Sequence, residues 1–233
     1  GHGASSAVVR GRSILPQRRC STRTGTGSDA VFVPVVDGPG STSGGAPTPH
    51  PWQADAVWPV TESRTVYANA WIEVVEDAVV RPDGSDGIYG VVHLRHPAVF
   101  VVAVTDDDEV VLVTVDRHTT GPSVEVPAGG SDGPDTLAGA QRELAEETGL
   151  QAATWREIGR MNALNGVCVA PEVVYLATGL SPVDGAEQEV EGISEVRRVP
   201  WGEVLAMLAR GDITDGETVA TLMYAALARG RVT

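Results

Sequence analysis

A chain of 233 residues, 42% of them hydrophobic, is long enough for one sizeable core with an added segment. Its net charge of −14 argues against a nucleic-acid binder, which needs a dense basic surface. No apolar run approaches the roughly 18 residues of a membrane span, no signal-peptide pattern is expected, and Cys20 and Cys168 fit no metal or redox spacing, so the expected setting is the cytoplasm.

Residues 1–24 carry five arginines and no acid, and residues 25–53 are rich in Gly, Ser, Thr and Pro. Together they read as an arm, flexible or loosely docked, over residues 1–54. Strand-like patterns follow at 66–75, 77–81 and 88–95, with a turn at Pro82-Asp83-Gly84. A hairpin is expected from 98–105 and 109–115 around Asp106-Asp107-Asp108, an acid triplet read as a solvated turn. Residues 117–127 read as a loop leading into Ala128-Gly129-Gly130. A helix is predicted from about 135 to 148, with Asp135 as N-cap and Gly149 just past its end. Strands near 155–162, 173–178 and 194–199 precede two helices, 201–210 and 217–229. Trp155 reads as a core residue. The class is therefore α+β, a mixed sheet flanked by helices.

The helix at 135–148 carries the most informative pattern. At about 100° per residue, Glu147 lies about 40° to one side of Glu143 and Glu146 about 60° to the other. Leu137, Ala140, Leu144 and Thr148 form an adjacent apolar face suited to packing on the sheet. Clustered glutamates repel one another, and only Arg142 offers local compensation. Geometry alone leaves two readings open, a site for a hard cation such as Mg²⁺ or Mn²⁺ and a solvated acidic face. Gly139, one turn earlier on the same face, reads either as room for a ligand or as a close helix–loop contact.

The run Arg142-Glu143-Leu144-Ala145-Glu146-Glu147-Thr148-Gly149-Leu150 resembles the second half of the Nudix box, G-x5-E-x7-R-E-U-x-E-E-x-G-U. The first half departs from that pattern. Anchoring on Gly129 and Asp135 leaves the loop one residue short and keeps an acid near the helix start. The segment Glu125-Val126-Pro127-Ala128-Gly129-Gly130 and the stretch from Gly211 to Ala220 are similar to ADP-ribose pyrophosphatase-like members.

The resemblance implies a Nudix α/β/α sandwich with extra N-terminal antiparallel strands at 55–97, which would dimerise, and a catalytic domain over 98–233. It implies Mg²⁺-dependent hydrolysis (Mn²⁺ being an alternative) of a nucleoside diphosphate linked to another group, ADP-ribose or a related nucleotide sugar. It implies a small-molecule partner, with neither nucleic acid nor membrane. Glu143 and Glu147 would ligate the metal, supported by Glu146 and the Ala128 carbonyl, with Arg142 orienting the glutamates. A loop glutamate would be the general base: Glu191 first, Glu189 second, then Glu187 and Glu195. Arg117, Glu125 and Glu172 are the candidate substrate contacts, with a structural Arg117–Glu125 pair as the other reading. Leu164-Asn165-Gly166 stands where ADP-ribose-specific members carry a proline, which loosens the substrate assignment. Alternatives are a nucleoside triphosphate pyrophosphatase and a non-catalytic Nudix-fold module that senses ADP-ribose.

Overall fold

The computed structural model describes residues 57–232, so the arm expected at 1–54 lies outside the described residues. The elements in order are β1 (Val60–Ala68), β2 (Ile72–Val80), β3 (Asp86–Leu94), β4 (Ala98–Val104), β5 (Glu109–Arg117), β6 (Gly121–Glu125), β7 (Ala128–Gly130) and α1 (Thr136–Thr148). They continue with β8 (Leu150–Asn162), β9 (Cys168–Val169), β10 (Pro171–Pro182), β11 (Ile193–Pro200), α2 (Trp201–Arg210) and α3 (Gly216–Ala228).

The larger sheet runs β11-β5-β4-β10-β8, with β6 paired to β5 and β7 to β4. Its β4–β10 pair is parallel and its other pairs are antiparallel, so the sheet is mixed. A second sheet, β1-β2-β3-β9, carries the extra N-terminal antiparallel strands.

Period-two alternation in the central strands builds a core on both faces. Val99, Val101 and Ala103 of β4, with Val173, Tyr175 and Ala177 of β10, meet Ala140 and Leu144 of α1. The intervening Phe100, Val102, Val104, Val174 and Leu176 meet Trp201, Val204 and Met207 of α2 and Leu222, Ala225 and Ala226 of α3. Helices thus cover both faces, giving the α/β/α sandwich. Trp155 packs edge-to-face on Tyr175 at 6.3 Å and gives its indole N–H to the Ala152 carbonyl.

Local structure departs from expectation in three places. The strand expected at 66–75 is broken, because the Asn69 side chain accepts the N–H groups of Trp71 and Ile72 at 2.8 Å and turns the chain into the β1–β2 hairpin. The expected loop at 117–127 contains β6, and β7 follows it; these short Gly- and Pro-containing strands are held by ladder bonds to β5 and β4 rather than by their own propensity. Leu137, expected on the packed face, stays exposed, while Ala140 and Leu144 of that face are fully buried. The acid triplet is a turn, as expected, with Asp108 in a left-handed conformation and its carboxylate paired to Arg229 (2.8 Å) and Arg231. Among the described residues, no helix is long and apolar enough to cross a membrane.

Candidate active site

Helix α1 begins where the Asp135 side chain accepts the Ala138 N–H at 3.0 Å and ends at Gly149, whose φ of 67° suits a residue without a side chain. Between these caps the chain runs uninterrupted, so Glu143 and Glu147 sit one turn apart. Both are buried, 5% and 6% exposed. Glu147 accepts the Ala128 N–H at 3.1 Å, which fixes its carboxylate against β7. Glu143 accepts from Arg142 at 2.8 Å, and the same guanidinium donates to the Gly130 carbonyl and to Glu146, each at 2.6 Å.

Of the three predicted metal-site glutamates, Glu143 and Glu147 are the buried pair, whereas Glu146 is turned to Arg142. Among the described residues, no three His, Cys, Asp or Glu side chains converge as a ready cation cage. The donor chemistry nonetheless fits a divalent cation. Two buried carboxylates face each other's charge, and Arg117, the cation that pulls on Glu147, is committed to Glu125. Burial pushes Glu147 up to about 8 and Glu143 up to about 7, with the Ala128 N–H and Arg142 acting against it respectively.

Gly129 explains how Glu143 fits. A Cβ there would fall 2.7 Å from Glu143 Oε2 and closer still to Oε1 and Cδ, so only glycine leaves the carboxylate its place. Sequence reading chose Gly129 for register alone, and its steric role needed the tertiary structure. Gly139 resolves the other way. Its Cβ would lie 2.7 Å from the Ser131 Cα, so close helix–loop packing, not ligand space, explains this glycine. Gly139→Ala is therefore expected to lower stability by about 1–3 kcal/mol despite alanine's better helix propensity. A thermal melt showing no loss would contradict that packing account.

The segment from Val183 to Gly192 lies against α1 through the Val183 N–H to the Gly149 carbonyl (2.9 Å) and the Glu187 N–H to the Glu146 carbonyl (2.8 Å). Among the candidate bases, Glu191 is the one whose charge reaches both Glu143 and Glu147, pushing each upward. Glu187 and Glu189 are exposed on the same segment. Glu195 lies in β11, where its carboxylate meets Thr114 at 3.4 Å.

A cavity of about 530 Å³ reaches Ala128, which donates its N–H to Glu147, and Gly129, which lies against Glu143. Arg117, Glu125, Ala128, Gly129 and Glu172 all line it, which brings the three predicted substrate contacts together. Arg117 and Glu125 also form a two-bond ion pair at 3.1 and 2.5 Å, so the structural reading of this pair describes its geometry. Asp215 and Glu217 line the cavity too, and sequence reading did not single them out. A larger cavity, about 590 Å³, lies over the second sheet and is lined by neither Ala128 nor Gly129. The smaller cavity is lined by both, the residues that meet Glu147 and Glu143, and the chemistry is placed there.

The raised carboxyls have a thermodynamic consequence. An unfolded glutamate titrates near 4.3, so between about pH 4.5 and 8 the metal-free native state holds more protons than the unfolded state. Stability then falls as pH rises through that window. Metal-free protein is expected to lose on the order of 3 kcal/mol between pH 5 and 8.5, and Glu147→Gln to remove about half of that loss. Thermal melts in chelator test this, and an equal pH dependence in both proteins would contradict it.

A mixed-sheet sandwich with this Arg-Glu-x-x-Glu-Glu helix beside an open cavity defines a pyrophosphohydrolase of the Nudix type. The chain belongs to that family: the NUDIX domain pattern matches residues 94–222. The Nucleoside diphosphate sugar hydrolase N-terminal domain matches residues 58–92. An ADP-ribose pyrophosphatase of Mycobacterium tuberculosis is 33% identical over 165 residues, covering 69% of this chain and 79% of the relative. A CMP-5'-(N-acetyl-N-hydroxy-3-aminopropyl)phosphonate hydrolase of Streptomyces rubellomurinus is 27% identical, covering 75% and 85%. A GDP-mannose pyrophosphatase of Yersinia pestis is 32% identical over 114 residues, covering 48% and 57%. A crystal structure of an ADP compounds hydrolase superposes with a TM-score of 0.66 at 20% identity, covering 75% of this chain and 97% of that one, a likeness of fold. Nudix hydrolases generally use divalent metal ions.

Proposed function

We propose that this enzyme hydrolyses a nucleoside diphosphate joined to a sugar, such as ADP-ribose, to a nucleoside monophosphate and a sugar phosphate in the presence of Mg²⁺. The observation that carries the reading is the buried Glu143–Glu147 pair, whose neighbours Ala128 and Gly129 line a cavity shared with Arg117, Glu125 and Glu172. The relatives named for ADP-ribose and GDP-mannose support the substrate class.

In this reading Glu143 and Glu147 hold most of the divalent ion, with Glu146 and the Ala128 carbonyl completing the donors. When bound, the ion supplies positive charge to the diphosphate oxygens and lowers the pKa of water. Arg142 holds Glu143 and Glu146 in register through its ion pairs. Glu191 accepts the proton of the attacking water, a role supported by its electrostatic reach to both buried glutamates. Glu189 is the second candidate. Arg117, with Glu125 positioning its guanidinium, faces the phosphates, and Glu172 contacts the group beyond them.

The strands at 55–97 form the dimer contact in this reading. Supporting it, β1 is exposed along its whole length, and Val60, Val66, Tyr67, Trp71 and Ile88 leave apolar surface uncovered on that sheet.

A screen of nucleoside diphosphate sugars, dinucleotides and nucleoside triphosphates at millimolar Mg²⁺ tests the substrate reading. The expected result is turnover of the diphosphate sugars ahead of the others. Preference for triphosphates would replace this reading with a triphosphate pyrophosphatase, and binding without turnover would make the protein a sensing module.

A further inference from the structure

Between β6, which pairs with β5, and β7, which pairs with β4, the chain crosses in two residues, Val126 and Pro127. Glu125, which accepts two bonds from Arg117, ends β6 just before the crossing. Ala128, whose N–H meets Glu147, begins β7 just after it. The crossing is enclosed, because Val126 is buried in the same core cluster as Leu222 and Ala225 of α3.

Proline has no N–H, so Val126 carries the one backbone donor of the crossing. That N–H goes to the Thr218 hydroxyl oxygen at 3.3 Å, and the Pro127 carbonyl accepts the Val101 N–H of β4 at 2.9 Å. Thr218 is itself fixed. It is fully buried in the first turn of α3, and its N–H is held at 2.7 Å by Asp215, the N-cap of that helix. Thr221, in the next turn, is equally buried, yet its hydroxyl has no partner among the described residues. Burial on α3 therefore does not by itself tie a threonine to the chain beneath it, and the bond to Val126 is particular to Thr218.

A buried N–H that loses its acceptor either moves to find another or stays unpaired at a cost. Movement here is passed on, since only Pro127, fixed in φ, separates Val126 from Ala128. Ala128 fixes the Glu147 carboxylate through its N–H, and its carbonyl is among the metal ligands of the reading above.

We propose that Thr218 is a positioning residue of the metal site, an inference that rests on the metal-dependent hydrolase reading above. Its hydroxyl oxygen holds the Val126–Pro127 crossing and thereby sets Ala128 and the Glu147 carboxylate where they receive a divalent cation. Thr218 touches neither cation nor substrate. Helix α3 thus buttresses a site whose ligands come from α1 and β7.

The test titrates Mn²⁺ into substrate-free parent, Thr218→Val, Thr218→Ser and Thr221→Val by calorimetry, and measures Mg²⁺ activation of ADP-ribose hydrolysis in the same four proteins. Thr218→Val keeps the shape but removes the acceptor. It is expected to weaken Mn²⁺ binding about tenfold and to raise the Mg²⁺ concentration for half-maximal rate by a similar factor. Thr218→Ser keeps the acceptor and is expected to stay within about twofold of the parent in both. Thr221→Val removes a hydroxyl without a partner and is expected to change neither. Should Thr218→Val fail to fold, Thr218→Ala, smaller at the same place, carries the same expectation. A Thr218→Val protein that melts lower yet binds Mn²⁺ as the parent does overturns the proposal, as does equal weakening in Thr218→Ser or in Thr221→Val. If the parent binds Mn²⁺ but turns over no diphosphate, the hydrolase reading alone fails, and the titration still decides the role of Thr218. A parent that binds no divalent ion overturns the proposal.

Discussion

Glu147→Gln is expected to lower kcat at saturating Mg²⁺ and substrate by about 10³-fold or more while leaving the fold intact. The change is nearly isosteric, and the amide oxygen can still accept the Ala128 N–H that the carboxylate takes at 3.1 Å. What disappears is a negative charge held in a buried position beside Glu143. A divalent ion needs that charge, whereas the metal-free protein is better off without it, because burial raises Glu147 to about 8. The variant should therefore melt higher than the parent in chelator at pH 8 and show a smaller gain on adding Mg²⁺. Steady-state rates and paired melts measure both effects. Activity within tenfold of the parent would remove Glu147 from the mechanism.

Gly129→Ala is expected to lower kcat/KM by about 10²-fold through a single methyl group. The added Cβ would occupy the place of the Glu143 carboxylate. That carboxylate is the end of a flexible side chain, so the clash is relieved by moving the glutamate rather than the backbone. Glu143 would then leave both Arg142 and its place beside Glu147, and the site would lose a ligand with little loss of stability. Gly139→Ala is the contrasting case, because there the obstacle is the Ser131 backbone and the penalty falls on the fold. Rates and melting temperatures of the two variants separate these outcomes. A Gly129→Ala enzyme with parental kcat/KM would show that the position of Glu143 is not critical.

The parts legible in the sequence were those governed by local rules. Asp135 and Gly149 mark the ends of α1, because caps satisfy backbone groups within a few residues. The β4–β5 hairpin follows from two apolar runs flanking the Asp106-Asp107-Asp108 turn. The placement of Glu143 and Glu147 on one face follows from helical period, and their assignment to metal chemistry came from the resemblance rather than the wheel.

What was not legible depends on distant partners or on rotamers. Helical phase places a Cβ but not a carboxylate, so it could not foresee that the Glu147 carboxylate is fixed by the Ala128 N–H of β7. The strands β6 and β7 exist because β5 and β4 offer them ladder bonds, which the Gly- and Pro-containing segment does not reveal. The Asn69 side chain that breaks the first predicted strand does so with two backbone bonds. Asp215 and Glu217 join Glu172 in one cavity across more than forty positions of sequence, and only the packing of α3 against the sheet brings them together.

The most direct test of the account follows ADP-ribose by phosphorus NMR with chelated enzyme and then with Mg²⁺ restored. The account predicts that the diphosphate resonances persist in chelator and give way to two phosphomonoester resonances once Mg²⁺ is added, in the parent but not in Glu147→Gln. Diphosphate resonances that persist in the parent at millimolar Mg²⁺, or that vanish equally in chelator, would contradict it.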